Sequence, residues 1–128
     1  LNPPPFSSDI TATNDNSCVL KIEYLGNSIL LCADIEEQGI ALLLSKSLEI
    51  KSDVIQVPHH GSSINNMEML ISAVRPAYAF INSSDGVTSR ETLDILQKHR
   101  VRTFQAHQEG AITFNLDKNG ITCSTFCK

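Results

Sequence analysis

Val54-Ile55-Gln56-Val57-Pro58-His59-His60-Gly61-Ser62 decides how this chain is read. A short apolar run ends on two adjacent histidines, then a glycine and a serine. A buried strand bounded in this way delivers polar side chains to a site at its C-terminal end. Gly61 lets the backbone approach closely and turn sharply. A second anchor lies upstream, in Ile29-Leu30-Leu31-Cys32-Ala33-Asp34, an apolar strand that ends on a carboxylate. One Asp and one or two His at strand ends have the chemistry of a metal site, since imidazole and carboxylate both ligate zinc. Neighbouring strand residues point to opposite faces, so one histidine of the pair ligates and the other supports it or faces substrate. Plainer readings stand beside these. The histidines make a polar strand end that caps carbonyls, and Asp34, with Glu37 three residues on, makes a helix N-cap.

The flanking pattern alternates strand and helix. Ile40, Leu43, Leu44 and Leu48 give the helix after Asp34 an apolar face, and Met67, Leu70, Ile71 and Val74 do the same for the helix after the histidines. Asn65 and Glu68 have capping-box spacing there, and Arg75-Pro76 ends that helix. Ala77 to Ile81 reads as a third buried strand and Asn82 to Val87 as a loop. Thr88 and Glu91 cap a helix that buries Leu93, Ile95 and Leu96, and Val101 to Gln105 is a short strand. Hairpins flank this core. Cys18 to Tyr24 alternates as a half-buried strand, with Cys18, Leu20, Ile22 and Tyr24 on one face, and turns at Gly26-Asn27 into Ser28 to Cys32. Ala111 to Leu116 and Ile121 to Phe126 flank Asp117-Lys118-Asn119-Gly120. The expected fold class is therefore α/β (α+β, mixed sheet), with helices covering the sheet and strand ends meeting at one edge. Residues 1–17 read as an extended, loop-rich lead-in and residues 18–128 as the αβ unit.

A chain of 128 residues is the size of one domain. Its net charge of −4 argues against a large, sequence-independent nucleic-acid face. A small phosphodiester site stays compatible with it, because bound metals bring their own positive charge. Cys18, Cys32, Cys123 and Cys127 are too few for a disulfide scaffold, and Cys18 and Cys32 fall in apolar runs. No apolar run has the length of a membrane span, and no signal-peptide pattern opens the chain. His99, among Lys98, Arg100 and Arg102, reads as a solvated cation at a helix C-terminus. His107 follows a strand within reach of the sheet edge that carries His60, and is not expected to be a ligand. Asp85, Ser83 and Ser84 either form a turn or rim the site.

These residues resemble a known family. Cys32-Ala33-Asp34-Ile35-Glu36, followed by Asp53 and the run to Ser62, is similar to the C-terminal half of a metallo-β-lactamase-fold hydrolase domain. The subgroup most resembled is the soluble domain of ComEC-type DNA-internalisation competence proteins. Asn16-Ser17, Ala73-Val74-Arg75-Pro76 and Gly110-Ala111-Ile112 fit its pattern as well, so that the likeness runs from about Ser17 to Leu116. The resemblance implies half of an αβ/βα sandwich with two metal ions, usually zinc, held between the halves. It gives Asp34 as the bridging ligand and His60 as a ligand of the second metal, both catalytic, with His59 and Ser62 supporting the ligands or facing substrate. A hydroxide between the metals then attacks DNA or another phosphodiester. It also implies a soluble domain of a bacterial membrane protein on the extracytoplasmic side.

Departures from that pattern set further expectations. The family's upstream His-x-His-x-Asp-His motif is absent, since all four histidines lie downstream of Asp34. Ala33 stands where the pattern has glycine, and the 82–88 loop lacks a Gly-His-Pro segment. Three explanations compete: a portion of a longer protein, which the Leu1 start favours, a degenerate homologue, or ligands supplied by a partner chain. The expectation is zinc held weakly or not at all, and no hydrolysis by the isolated chain. The alternative is a non-catalytic structural or interaction domain that dimerises or binds a partner through an exposed sheet face.

Overall fold

The computed structural model describes residues 13–46 and 49–127. Strands β1 (Leu20–Tyr24) and β2 (Asn27–Leu31) form an antiparallel hairpin. Its two turn residues are Leu25 and Gly26, at φ 49° and 82°, one position earlier than the expected Gly26-Asn27. Glycine adopts that conformation without steric cost. The chain then alternates through α1 (Glu37–Ser45), β3 (Val54–Gln56), α2 (Met67–Val74), β4 (Tyr78–Ile81), α3 (Arg90–Lys98) and β5 (Arg102–Gln105). A one-turn helix, α4 (Ala106–Glu109), and the hairpin β6 (Ala111–Asp117)–β7 (Gly120–Phe126) complete it. The main sheet has the order β1-β2-β3-β4-β5, with β2 to β5 parallel and β1 antiparallel. The fold is thus the mixed α/β arrangement that the strand–helix alternation implies.

One sheet face carries the core. Leu30, Ile55 and Ala79 stand in register across β2, β3 and β4, and all three are buried. Met67, Leu70, Ile71 and Val74 of α2 cluster against this face with Ile40 and Leu43 of α1 and Leu96 of α3. Leu93 and Ile95 are partly buried beside them. Leu48 lies outside the described residues.

The opposite face is only partly covered. Phe114 of β6 packs on Tyr78, Phe80 and Phe104, with ring centroids 6.1, 5.8 and 6.0 Å away. The Asn27 side-chain amide donates to the Asp117 carbonyl at 2.8 Å and ties this hairpin to β2. Among the described residues, the hairpin leaves the β1 end of this face uncovered. Leu20, Ile22 and Tyr24 of β1 are 50%, 46% and 57% exposed, although alternation had marked them as the buried side of a half-buried strand. Val19 is the buried residue there instead, and Cys18 is exposed.

The expected helix caps are replaced by others. The N-cap of α1 is Glu36 rather than Asp34, and neither it nor Asn66, the N-cap of α2, makes a side-chain cap bond. Asp15, buried on the helical turn Asn14–Asn16 within the expected lead-in, accepts from the Glu36 and Gly39 N–H groups at 2.6 and 2.8 Å. A remote carboxylate thereby satisfies the helix N-terminus and complements its dipole. Asn65 donates to Glu37, and Glu68 pairs with Lys98, so the Asn65/Glu68 box does not form. Ser89, not Thr88, caps α3, its hydroxyl accepting from the Thr92 N–H at 3.1 Å. The Arg75 stop is observed: Arg75 takes φ 53° and closes α2. Among the described residues no helix is long and apolar enough to cross a membrane.

Candidate functional site

The C-terminal ends of β2 and β3 are stitched together where the candidate ligands emerge. The Ala33 carbonyl accepts from the His59 N–H at 3.1 Å, and the Ala33 N–H donates to the Gln56 side chain at 3.2 Å. Both chains then turn sharply. Ala33, His59 and His60 all have positive φ, at 51°, 47° and 56°, and Gly61 follows at 75°. Three non-glycine residues in the left-handed region at one edge store backbone strain, a feature that collects at functional sites. Ala33 takes this conformation where the resembled pattern has glycine, which adopts it freely.

The histidines therefore leave the sheet on a turn, not on a strand, and the rule of opposite faces does not govern them. His60 Nδ1 lies 2.5 Å from the Asn82 carbonyl, which comes just after β4. A carbonyl only accepts, so Nδ1 carries the proton, and in the neutral ring the lone pair is then on Nε2. That lone pair faces Asp34, whose Oδ1 is 3.7 Å from Nε2, with both side chains about half exposed. Two acceptors turned toward each other need a cation between them, either a proton on Nε2 or a metal ion. His59 goes elsewhere: its Nδ1 is 3.1 Å from Glu36 Oε1, which also accepts from Asn14 at 2.8 Å. The two imidazole rings stand 6.3 Å apart. Ser62 adopts extended backbone after the turn and ends it with an N–H bond to the His59 carbonyl at 3.0 Å.

As a metal fit, the pair is partial. Ligands of one tetrahedral zinc ion sit about 3.3–3.6 Å from each other, given bonds of about 2.0–2.2 Å, so the Asp34–His60 separation of 3.7 Å is close to what one ion spans. The hydrogen bond from Nδ1 to a carbonyl is the support that metal-binding histidines require. Among the described residues, however, no group of three or more His, Cys, Asp or Glu side chains is placed to hold a metal. Two donors fall short of the four that a closed zinc site uses.

The other candidates stand apart. His107, on α4 beyond β5, turns Nε2 toward Asp85 at 3.6 Å, while its buried Nδ1 finds no hydrogen-bond partner among the described residues. His99 lies beside Glu68 at 3.5 Å. Lys98, ahead of His99, holds the Glu68 carboxyl below its ordinary range through a hydrogen bond and its charge. Cys32 is buried in the core, and burial pushes its thiol up to about 12. Cys123 is raised too, chiefly by desolvation. Sequence reasoning missed Asn82 as the partner of His60 and Glu36 as that of His59. Asn82 acts through its backbone, and a backbone carbonyl carries no signature in residue type.

No protein-family profile matches the chain. It is 30% identical over 128 residues to ComE operon protein 3 of Bacillus subtilis (strain 168), covering 95% of this chain and 16% of the relative. Competence protein ComA of Neisseria gonorrhoeae is 26% identical over 84% of the chain and 16% of its own length. Recombination protein 2 of Haemophilus influenzae is 44% identical over 62% of the chain and 10% of its own length. These relatives support a competence-protein family, and the chain spans about a sixth of the length of the first two.

Proposed function

We propose that this chain is part of a metal-dependent hydrolase of the phosphodiesterase or nuclease type, within a protein of DNA-uptake competence. Asp34 and His60 are its two contributions to a metal centre. The observation that carries this reading is the His60 arrangement. The Asn82 carbonyl accepts from the Nδ1–H, and Nε2 lies 3.7 Å from the Asp34 carboxylate. Similarity to competence proteins supports the biological setting.

In this reading the remaining ligands come from a second αβ unit, which packs on the open face of β1 where Leu20, Ile22 and Tyr24 are exposed. A soluble domain of a membrane protein, on the extracytoplasmic side, is the setting that the resemblance implies. When bound, zinc lowers the pKa of its water toward neutrality and stabilises charge on phosphoryl oxygens. The chain's own residues have narrower tasks. Asn82 fixes the His60 tautomer, Glu36 holds His59 at the rim beside it, and Asp34 supplies the negative charge that draws in a cation.

A second reading has its own support. With two donors in reach, Asp34 and His60 also suit a simple imidazolium–carboxylate contact in a non-catalytic domain that binds a partner or a second copy through the same open face. The test is Asp34→Asn in the full-length protein, assayed for metal-dependent cleavage of single- and double-stranded DNA. The hydrolase reading expects cleavage that needs metal and is lost in the variant. Undiminished cleavage in Asp34→Asn, or none in the full-length protein at any metal concentration, favours the non-catalytic domain.

A further inference from the structure

We propose that the N-terminal turn of α3 is a jig for the His60 turn, with Thr88 and Thr92 as positioning residues. Its functional consequence rests on the reading of His60 as a metal ligand, but the positioning itself does not. Four consecutive residues of the turn are gripped in order. The Thr88 hydroxyl donates to the His60 carbonyl at 3.2 Å, and the Ser89 N–H donates to the Gly61 carbonyl at 2.9 Å. The Thr92 hydroxyl donates to the Ser62 carbonyl at 3.2 Å, and the Ser63 hydroxyl donates to Glu91.

The turn needs such help. His60 and Gly61 are both left-handed, so their carbonyls have no place in a regular strand or helix ladder and must find donors elsewhere. Thr88 spends its one hydroxyl proton on the His60 carbonyl, so Ser83, 2.9 Å away, donates to Thr88 in turn. Thr88 also acts by shape. A Cβ built on Gly61 would lie 2.8 Å from Thr88 Cγ2, so the methyl closes the space over the glycine. The segment from Asn82 to Thr92 therefore holds His60 at both ends, the ring through the Asn82 carbonyl and the backbone through Thr88. Thr88 and Glu91, spaced like a capping box, serve a neighbouring turn instead of their own helix.

The test reads the His60 tautomer in long-range 15N NMR spectra of the whole chain, recorded well above the pH range in which imidazole titrates. The native chain is expected to show the Nδ1–H form. Thr88→Val and Thr92→Val keep side-chain volume and lose the hydroxyl, so both should shift His60 toward a mixture of tautomers. Thr88→Ser should retain the native form, as should Thr103→Val, whose hydroxyl bonds the Val101 carbonyl away from the site. Zinc titrations on the same samples should give an affinity about 10–100-fold lower in Thr88→Val, the usual effect of removing a ligand's support. A native tautomer in Thr88→Val overturns the proposal, and this half-buried position decides the matter if the buried Thr92→Val does not fold. A tautomer shift with no zinc binding, even by the native chain, upholds the jig and removes only the metal reading.

Discussion

Replacing Gly39 by alanine should destabilise the protein, although it places the best helix former inside a helix. Gly39 lies in the first turn of α1, and for an ordinary helical glycine this change gains about 1 kcal/mol. Here the new Cβ would meet Asp15 Oδ1 at 2.8 Å and Ile35 Cβ at 3.0 Å. Overpacking of this kind costs about 1–3 kcal/mol. The oxygen that must yield is the one that accepts from the Glu36 and Gly39 N–H groups at 2.6 and 2.8 Å. Hydrogen bonds to a charged group contribute about 1.5–3 kcal/mol each, so weakening them enlarges the loss. The net expectation for Gly39→Ala is about 1–4 kcal/mol of lost stability, read from urea unfolding as a lower midpoint at unchanged slope. A double-mutant cycle isolates the cause. With Asp15→Ala already present, the added cost of Gly39→Ala should shrink by at least about 1 kcal/mol, since the two residues touch. A more stable Gly39→Ala variant, or strict additivity in the cycle, refutes the account of Asp15 as the remote cap of α1.

Gly61→Ala should cost about 2–4 kcal/mol in thermal or urea unfolding, because φ is +75° and the new Cβ lies 2.8 Å from Thr88 Cγ2. Ala33→Gly should act the other way, gaining about 0.5–1 kcal/mol as left-handed strain at φ 51° is relieved against a more flexible unfolded chain; a loss of stability contradicts the strain. Glu68→Gln should change the acid limb of the stability curve. Lys98, then His99, lowers the folded-state pKa of Glu68 from its ordinary 4.5, so its contribution is present above that value and fades as pH falls through the lowered one. The variant's curve should be flatter there, and an unchanged acid limb counts against the ion pair.

The strand–helix alternation was legible because the periodicities were clean. Met67, Leu70, Ile71 and Val74 are all buried, as a 3.6-residue period requires. The same logic misplaced Leu20, Ile22 and Tyr24, because a period of two separates the faces of a strand without saying what covers each. Phe114 and its hairpin cover that face over β4 and β5 and leave the β1 end open. Three capping boxes were read from spacing, and none forms as read. Local spacing carries no trace of the long-range partners that compete for these side chains: Asp15 for α1, Lys98 for Glu68, and the His60 turn for Thr88. Asp34 and His60 were legible as neighbours because each ends a strand and the two strands are adjacent. The geometry between them was not, since it depends on the Asn82 carbonyl and on three left-handed residues whose types give no sign of it.

Zinc titration of the chain, followed residue by residue in the imidazole 15N and carboxylate 13C signals, tests the central claim most directly. The account predicts weak binding that moves His60 Nε2 and the Asp34 carboxylate together, leaves His59, His99 and His107 in place, and vanishes in Asp34→Asn. Zinc that settles on the other histidines, or a His60 Nε2 that holds a proton facing Asp34 and ignores the metal, would contradict it.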